Sequence, residues 1–228
     1  MISLKSWWWP KHQARVPRAW TAWLLACLGA ALFGTAAVLL KIGAVSWDVS
    51  LFRVLNEVPA GVASVLTPLA HLCLPVGILI VVVIITGYVV VRNRSVLPVA
   101  AAAVAAAGAL VLAHVAKAIA DRPRPYQVIT DAVLRQQPAH GTSFPSSHTA
   151  VTVAVVIALM PFLPRALAPV AVAYAVLLCW SRVYLGVHYP LAVLGGAGIG
   201  IAVGGAVLLA LGVLLRRTEQ PAVASEVT

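Results

Sequence analysis

The chain has 228 residues, of which 62% are hydrophobic and only 10% are charged, and its formal net charge is +10. A soluble domain carries about 25% charged and about 45–50% apolar residues, so this composition excludes an ordinary soluble protein. The basic residues flank apolar segments instead of forming a stripe, which excludes a nucleic-acid-binding protein and is typical of an integral membrane protein.

Six apolar segments follow one another along the chain. A hydrocarbon core about 30 Å thick needs about 20 helical residues to cross it. We predict spans at residues 19–41, 64–91, 96–119, 147–163, 166–184 and 190–215. Between the first two, residues 47–59 have the mixed composition of a short amphipathic helix lying in the membrane interface. The predicted fold is an all-α integral membrane bundle of six transmembrane helices with one interfacial helix.

The segments outside this bundle are short. Residues 1–18 are basic and rich in tryptophan, residues 19–217 form the predicted membrane domain, and residues 218–228 are predicted to be a disordered tail. Lysine and arginine are more frequent on the side that holds both termini, which predicts that the N- and C-termini are cytoplasmic. We therefore expect an integral plasma (inner) membrane protein; the sequence leaves the oligomeric state open.

The first cluster of polar residues ends the third span. Lys117 and Arg124 are seven residues apart, or about two helical turns, so a continued helix places both on one face. Prolines on either side of Arg124 then end the helix. Taken alone, these could equally be basic side chains that extend toward the membrane surface. Asp121 and Arg122 are expected to pair locally and to have no catalytic role.

The second cluster opens the fourth span with the run Pro145-Ser146-Ser147-His148. Proline followed by serines is typical of a helix start, and the unpaired N–H groups at such a start bind anions. His148, in the first turn, could supply or take a proton. The alternative is that a serine hydroxyl merely caps the helix.

The third cluster, Arg182 and His188, lies between the fifth and sixth spans, and either residue alone would be unremarkable. In the six-span arrangement, however, all three clusters fall on one side of the membrane. Three cations and a helix start suit a phosphate dianion, because arginine pairs with its oxygens bidentately. Two histidines provide a nucleophile and an acid. Since no Asp/Glu cluster accompanies them, we predict no metal site and no cofactor.

The order Lys-x6-Arg-Pro, Pro-Ser-x-His and Ser-Arg-x5-His over residues 117–188 resembles the signature of the type 2 phosphatidic acid phosphatase superfamily. The resemblance implies metal-independent hydrolysis of a lipid phosphate at the extracytoplasmic face. His188 would attack phosphorus to form a phosphohistidine, and His148 would protonate the leaving oxygen. The resemblance also implies a set of phosphate-binding residues: Lys117, Arg124, Ser146, Ser147 and Arg182.

Two positions depart from the family pattern. Ser147 replaces a glycine, which a small residue can tolerate. More importantly, Ala192 stands where the family has an aspartate that accepts a hydrogen bond from the nucleophilic histidine. Three explanations are open: an engineered inactivating change, a natural variant in which another group such as Asp121 orients His188, or a lineage that has lost catalysis.

The substrate expected from the resemblance is a polyprenyl (undecaprenyl-type) diphosphate in the lipid bilayer, hydrolysed to the monophosphate. Phosphatidate and phosphatidylglycerophosphate are the alternatives, because they present phosphate to the same residues. A different class of function is a catalytically impaired lipid-phosphate binding protein, which Ala192 keeps open. A structural membrane subunit is a third, and it predicts that Lys117, Arg124 and His148 point apart.

Overall fold

The computed structural model describes residues 17–219, and every regular element among them is helical. The helices are α1 (Ala19–Lys41), α2 (Ser46–Asn56), α3 (Ala60–His71), α4 (Pro75–Asn93), α5 (Leu97–Ala120), α6 (Pro125–Val128), α7 (Ser147–Leu159), α8 (Ala168–Tyr184) and α9 (Pro190–Glu219). A 3₁₀ turn, Met160–Phe162, follows α7. Residues 1–16 of the predicted N-terminal segment and residues 220–228 of the predicted tail lie outside the described part of the chain.

Three stretches are long and apolar enough to cross a membrane: Ala19–Lys41, Leu97–Val128 and Pro190–Arg216. A fourth results if α2 and α3, whose axes differ by 99°, are taken as one bent span. In hydrocarbon only a helix or a closed barrel satisfies the backbone polar groups, so these alanine-, valine- and leucine-rich runs become helices. The described part of the chain therefore has the all-helical architecture of a membrane protein. The shorter lengths of α7 and α8 leave the count of six spans as a prediction.

The predicted second span, residues 64–91, differs from the structure, which divides it into two helices. α3 ends at His71 and α4 begins at Pro75. Pro75 takes the first position of α4, where the missing N–H group of proline costs no helical hydrogen bond. The break leaves the Cys73 carbonyl free to accept a hydrogen bond from Arg182 Nη2 at 2.8 Å.

Helix α2 occupies the place of the predicted interfacial helix and has two distinct faces. Asp48, Phe52 and Asn56, spaced four residues apart, are completely buried. Val54 on the other face is 71% exposed. Such spacing aligns the buried residues along one side of the helix. Two of the three buried side chains, Asp48 and Asn56, are polar, and sequence hydropathy alone does not predict their burial.

Helix α9 packs closely against both α1 and α7. A Cβ atom at Gly200 would lie 2.7 Å from the Ala150 carbonyl oxygen of α7, and one at Gly198 would lie 2.5 Å from the Phe33 nitrogen of α1. Both distances are shorter than real Cβ contacts, so glycine is what permits these backbones to approach. The glycines of α9 thus bring the start of α7 directly against this helix.

Candidate active site

Arg124 connects three segments of the chain at one end of the bundle. Its Nε donates to the Gly141 carbonyl at 2.9 Å, Nη2 to the His140 carbonyl at 2.8 Å and Nη1 to the Val187 carbonyl at 3.0 Å. Only 4% of the residue is exposed. A guanidinium offers five N–H donors in a rigid fork, so one side chain can fix the loop before α7 and the link between α8 and α9 together.

Two further cations approach from other helices. Lys117, near the end of α5, donates from Nζ to the Thr142 carbonyl at 2.7 Å. Arg182, near the end of α8, is 1% exposed and donates to the Cys73 carbonyl and to Ser181 Oγ. Within residues 17–219, the hydrogen bonds of Arg182 are made by Nε and Nη2. The Nη1 group of this buried cation therefore keeps donors for an anion.

The start of α7 combines a cap with unpaired donors. Ser146 caps the helix, because its hydroxyl accepts from the Thr149 N–H at 3.4 Å. The N–H groups of Ser147 and His148 are among the first of the helix and have no intrahelical acceptor. The hydroxyls of Ser147 and Ser143 are buried and have no hydrogen-bond partner among residues 17–219. Ser146 thus has the capping contact, while Ser147 offers both a hydroxyl and a backbone donor.

His188 is 3% exposed and both of its ring nitrogens have neighbours. Nδ1 lies 2.6 Å from the Ser143 carbonyl oxygen, and Nε2 lies 3.4 Å from Arg124 Nη1. Burial, followed by the charges of Arg124 and Lys117, holds the pKa of His188 well below its ordinary value of 6.5. The imidazole is therefore neutral at pH 7, the form with a lone pair available for attack.

The structure brings together the residues of all three sequence clusters. Both histidines, His148 and His188, lie close enough to the same three cations to be affected by their charges: Lys117, Arg124 and Arg182. This convergence contradicts a purely structural subunit, for which those side chains should point apart. Within residues 17–219, no three His, Cys, Asp or Glu side chains are grouped so that they could hold a metal ion.

At position 192, where the family has a carboxylate, this chain has an alanine that packs against apolar side chains. Ala192 is completely buried, and its carbonyl accepts from the Ser146 N–H at 2.9 Å. Asp121, the suggested stand-in, is an exposed residue at the end of α5. The expected local pairing of Asp121 with Arg122 is wrong: Arg122 Nη1 instead contacts Asp48 Oδ2 at 2.7 Å. A buried carboxylate from α2 competes better for the guanidinium than an exposed neighbour does.

Sequence reasoning missed two groups near the site. Asp48 was assigned only to an interfacial helix, although its spacing with Phe52 and Asn56 signals one buried face. The Ser143 carbonyl, which contacts His188, has no signal in the sequence at all, since every residue carries such a group. Motif spacing identifies side chains, and a backbone acceptor becomes visible only when the chain is folded.

Comparison with known proteins adds independent information. A sequence model of the PAP2 superfamily matches residues 98–215, more than half of the chain. The undecaprenyl-diphosphatase of Sulfolobus acidocaldarius is 32% identical over 88 residues, which cover 39% of this chain and 43% of that protein. The match thus spans less than half the length of this relative.

Two solved structures share the fold. The crystal structure of Aquifex aeolicus LpxE has a TM-score of 0.59 and 28% identity, and the alignment covers 70% of this chain and 93% of that one. The structure of a PAP2-type phosphatidylglycerolphosphate phosphatase from Bacillus subtilis has a TM-score of 0.62 and 24% identity, with 79% and 94% covered.

Proposed function

Because this chain belongs to the PAP2 superfamily, we propose that it is a metal-independent lipid phosphatase that hydrolyses a polyprenyl diphosphate to the monophosphate. The single observation that carries the proposal is the arrangement of three cations around two histidines at one end of the helical bundle. The partial similarity to an undecaprenyl-diphosphatase supports this substrate class. The catalytic domain is residues 19–217, and the site faces the extracytoplasmic side.

In the first half-reaction, His188 Nε2 attacks the terminal phosphorus. The bond between that phosphorus and the bridging oxygen breaks as the N–P bond forms, and His148 donates a proton to the leaving lipid monophosphate. The Nδ1 hydrogen bond of His188 to Ser143 leaves Nε2 as the nucleophilic atom. Lys117, Arg124 and Arg182 balance the charge on the phosphoryl oxygens as it redistributes.

In the second half-reaction, water attacks the phosphohistidine and His148 accepts a proton from it. The N–P bond breaks, releasing inorganic phosphate and restoring neutral His188. The hydroxyl of Ser147, which has no partner within residues 17–219, and the N–H groups at the start of α7 stabilise the transferring phosphoryl group in both steps. Ser146 contributes through its capping contact, which fixes those N–H groups.

Release of inorganic phosphate tests this proposal. The purified full-length chain in detergent with EDTA is given a polyprenyl diphosphate or a phosphatidate, and His188→Gln serves as the control. We expect release from the diphosphate by the unmodified chain and none by the variant. Faster release from phosphatidate would move the substrate to that class. Binding of the diphosphate without release would identify a lipid-phosphate binding protein instead.

A further inference from the structure

The tautomer of His188 is specified twice by its neighbours. A carbonyl oxygen can only accept, so the 2.6 Å contact between Nδ1 and Ser143 requires a proton on Nδ1. A guanidinium can only donate, so Arg124 Nη1 at 3.4 Å favours an unprotonated Nε2. Both contacts favour the form that an orienting carboxylate on Nδ1 would also select.

The Ser143 carbonyl is held in place by a buried ion pair. The Ser143 N–H donates to the Arg122 carbonyl at 2.7 Å, and the Arg122 guanidinium donates to Asp48 Oδ2 at 2.7 Å. Asp48 and Ser143 are completely buried, and Arg122 is 8% exposed. The segment that contacts His188 is thus tied to helix α2 through Arg122.

The same ion pair also holds the segment that carries His188. Asp48 Oδ1 accepts from the Leu191 N–H at 2.7 Å, at the start of α9. The Arg122 guanidinium lies 3.7 Å from the centre of the Tyr189 ring, next in sequence to His188. Because one pair of residues contacts both segments, it fixes the distance between the imidazole and the Ser143 carbonyl.

In this chain, position 192 lies among apolar side chains. Ala192 is fully buried in an apolar cluster with Ala36, Phe144 and Leu191. A charged group there would lose its hydration among apolar neighbours, which is costly unless it is paired. The Nδ1 hydrogen of His188 already has its acceptor.

We propose that the Ser143 carbonyl, positioned by the buried Asp48–Arg122 pair, orients His188 in this chain and takes over the task of the carboxylate absent at position 192. Asp48 and Arg122 are positioning residues that act through Ser143 and Leu191. The inference rests on the proposed function only in naming His188 as the nucleophile.

Nuclear magnetic resonance of the full-length chain with nitrogen-labelled histidine tests the tautomer directly. The His188 signals are assigned by their loss in His188→Gln. We expect a proton on Nδ1 and an unprotonated Nε2. The opposite tautomer would overturn the inference, whatever the activity of the chain, so this readout also separates its failure from failure of the proposed function.

Kinetics of Ala192→Asp provide a second test. If His188 is already oriented, the added carboxylate raises kcat for polyprenyl diphosphate less than threefold or lowers it. If orientation is missing, restoring the carboxylate raises kcat steeply, by up to about 10⁴-fold as for the aspartate of a serine protease triad. Such a gain would confirm the phosphatase and overturn the inference.

The positioning pair is tested by Asp48→Asn, with Asp131→Asn as the matched control. Asp131 also pairs with an arginine, Arg53, but its side chain is 47% exposed whereas Asp48 is completely buried. We expect Asp48→Asn to lower kcat by about 10–100-fold, the range found when partners that orient metal-binding histidines are removed, with KM nearly unchanged. Asp48→Asn should also give a mixture of the two His188 tautomers. The Asp131→Asn control should change neither kcat nor the tautomer. Unchanged tautomer and kcat in a folded Asp48→Asn would contradict the role of the pair.

Discussion

At position 188, an imidazole lies between a fixed acceptor on one nitrogen and a fixed donor near the other. The neighbouring cations do two things at once: Arg124 and Lys117 disfavour the protonated ring, and the same charges attract a phosphate dianion. A free nucleophile and a strong anion site therefore depend on the same residues. The hydroxyls of Ser143 and Ser147, left unpaired in the described residues, add donors that an incoming anion could satisfy.

This electrostatic arrangement predicts the pH dependence of catalysis. His188 must be neutral to attack, and burial with nearby Arg124, Lys117 and Arg182 lowers its pKa below 6.5. His188 becomes protonated, and loses its nucleophilic form, when pH falls through that lowered pKa, so the acidic limb of kcat/KM, which reports the free enzyme, should lie below pH 6.5. Removing one cation with Lys117→Gln should move the limb to higher pH. An acidic limb at the same pH in Lys117→Gln would contradict an effect of the Lys117 charge on His188.

Among the helices, the close contact of α9 with α7 fixes the helix start that carries His148 beside the helix that follows His188. His148 lies in the first turn of α7, and His188 lies two residues before α9 begins. The backbones meet where Gly200 faces the Ala150 carbonyl. A rigid, close interface of this kind transmits a small displacement of α7 directly to the site.

Adding a methyl group at this interface tests whether the site depends on the close contact of α7 with α9. In Gly200→Ala the new Cβ would lie 2.7 Å from the Ala150 carbonyl oxygen, so α7 must shift. Overpacking of this kind costs about 1–3 kcal/mol. We expect a lower thermal unfolding midpoint in detergent and a reduced kcat. Gly87→Ala is the control, since nothing lies within 4 Å of its Cβ in α4, and both quantities should hold or rise. Equal behaviour of the two variants would contradict a close interface.

The elements were predictable where hydropathy is uninterrupted and less so elsewhere. The predicted spans 19–41, 96–119 and 190–215 correspond closely to α1, α5 and α9, since each is one apolar run. The run 64–91 is equally apolar, yet the structure divides it before Pro75, a residue type that favours the first position of a helix over its interior. Motif spacing likewise identified the cationic side chains, whereas Asp48 and the Ser143 carbonyl depend on tertiary contacts between distant segments.

For the whole molecule, the arrangement in the membrane follows from charge bias and remains a prediction. It places the loop between α6 and α7 outside and the link between α7 and α8 inside. Gln137 and Arg165 are exposed residues of these two segments. They therefore provide matched positions for labelling from each side.

Single cysteines at these positions test the topology, in a chain whose Cys27, Cys73 and Cys179 are replaced by alanine. In sealed right-side-out vesicles, a membrane-impermeant maleimide should label Gln137→Cys at once. Arg165→Cys should react only after the vesicles are opened. Labelling of both from outside would contradict the predicted arrangement, and reversed labelling would place the site on the cytoplasmic face.

Trapping the phosphohistidine intermediate tests most directly whether His188 forms a covalent bond to phosphorus. The chain is mixed with polyprenyl diphosphate radiolabelled in the terminal phosphate, quenched in alkali, and digested. We expect an acid-labile label on the peptide that contains His188, with none in His188→Gln. Release of inorganic phosphate without any protein-bound label, or an undiminished label in His188→Gln, would contradict it.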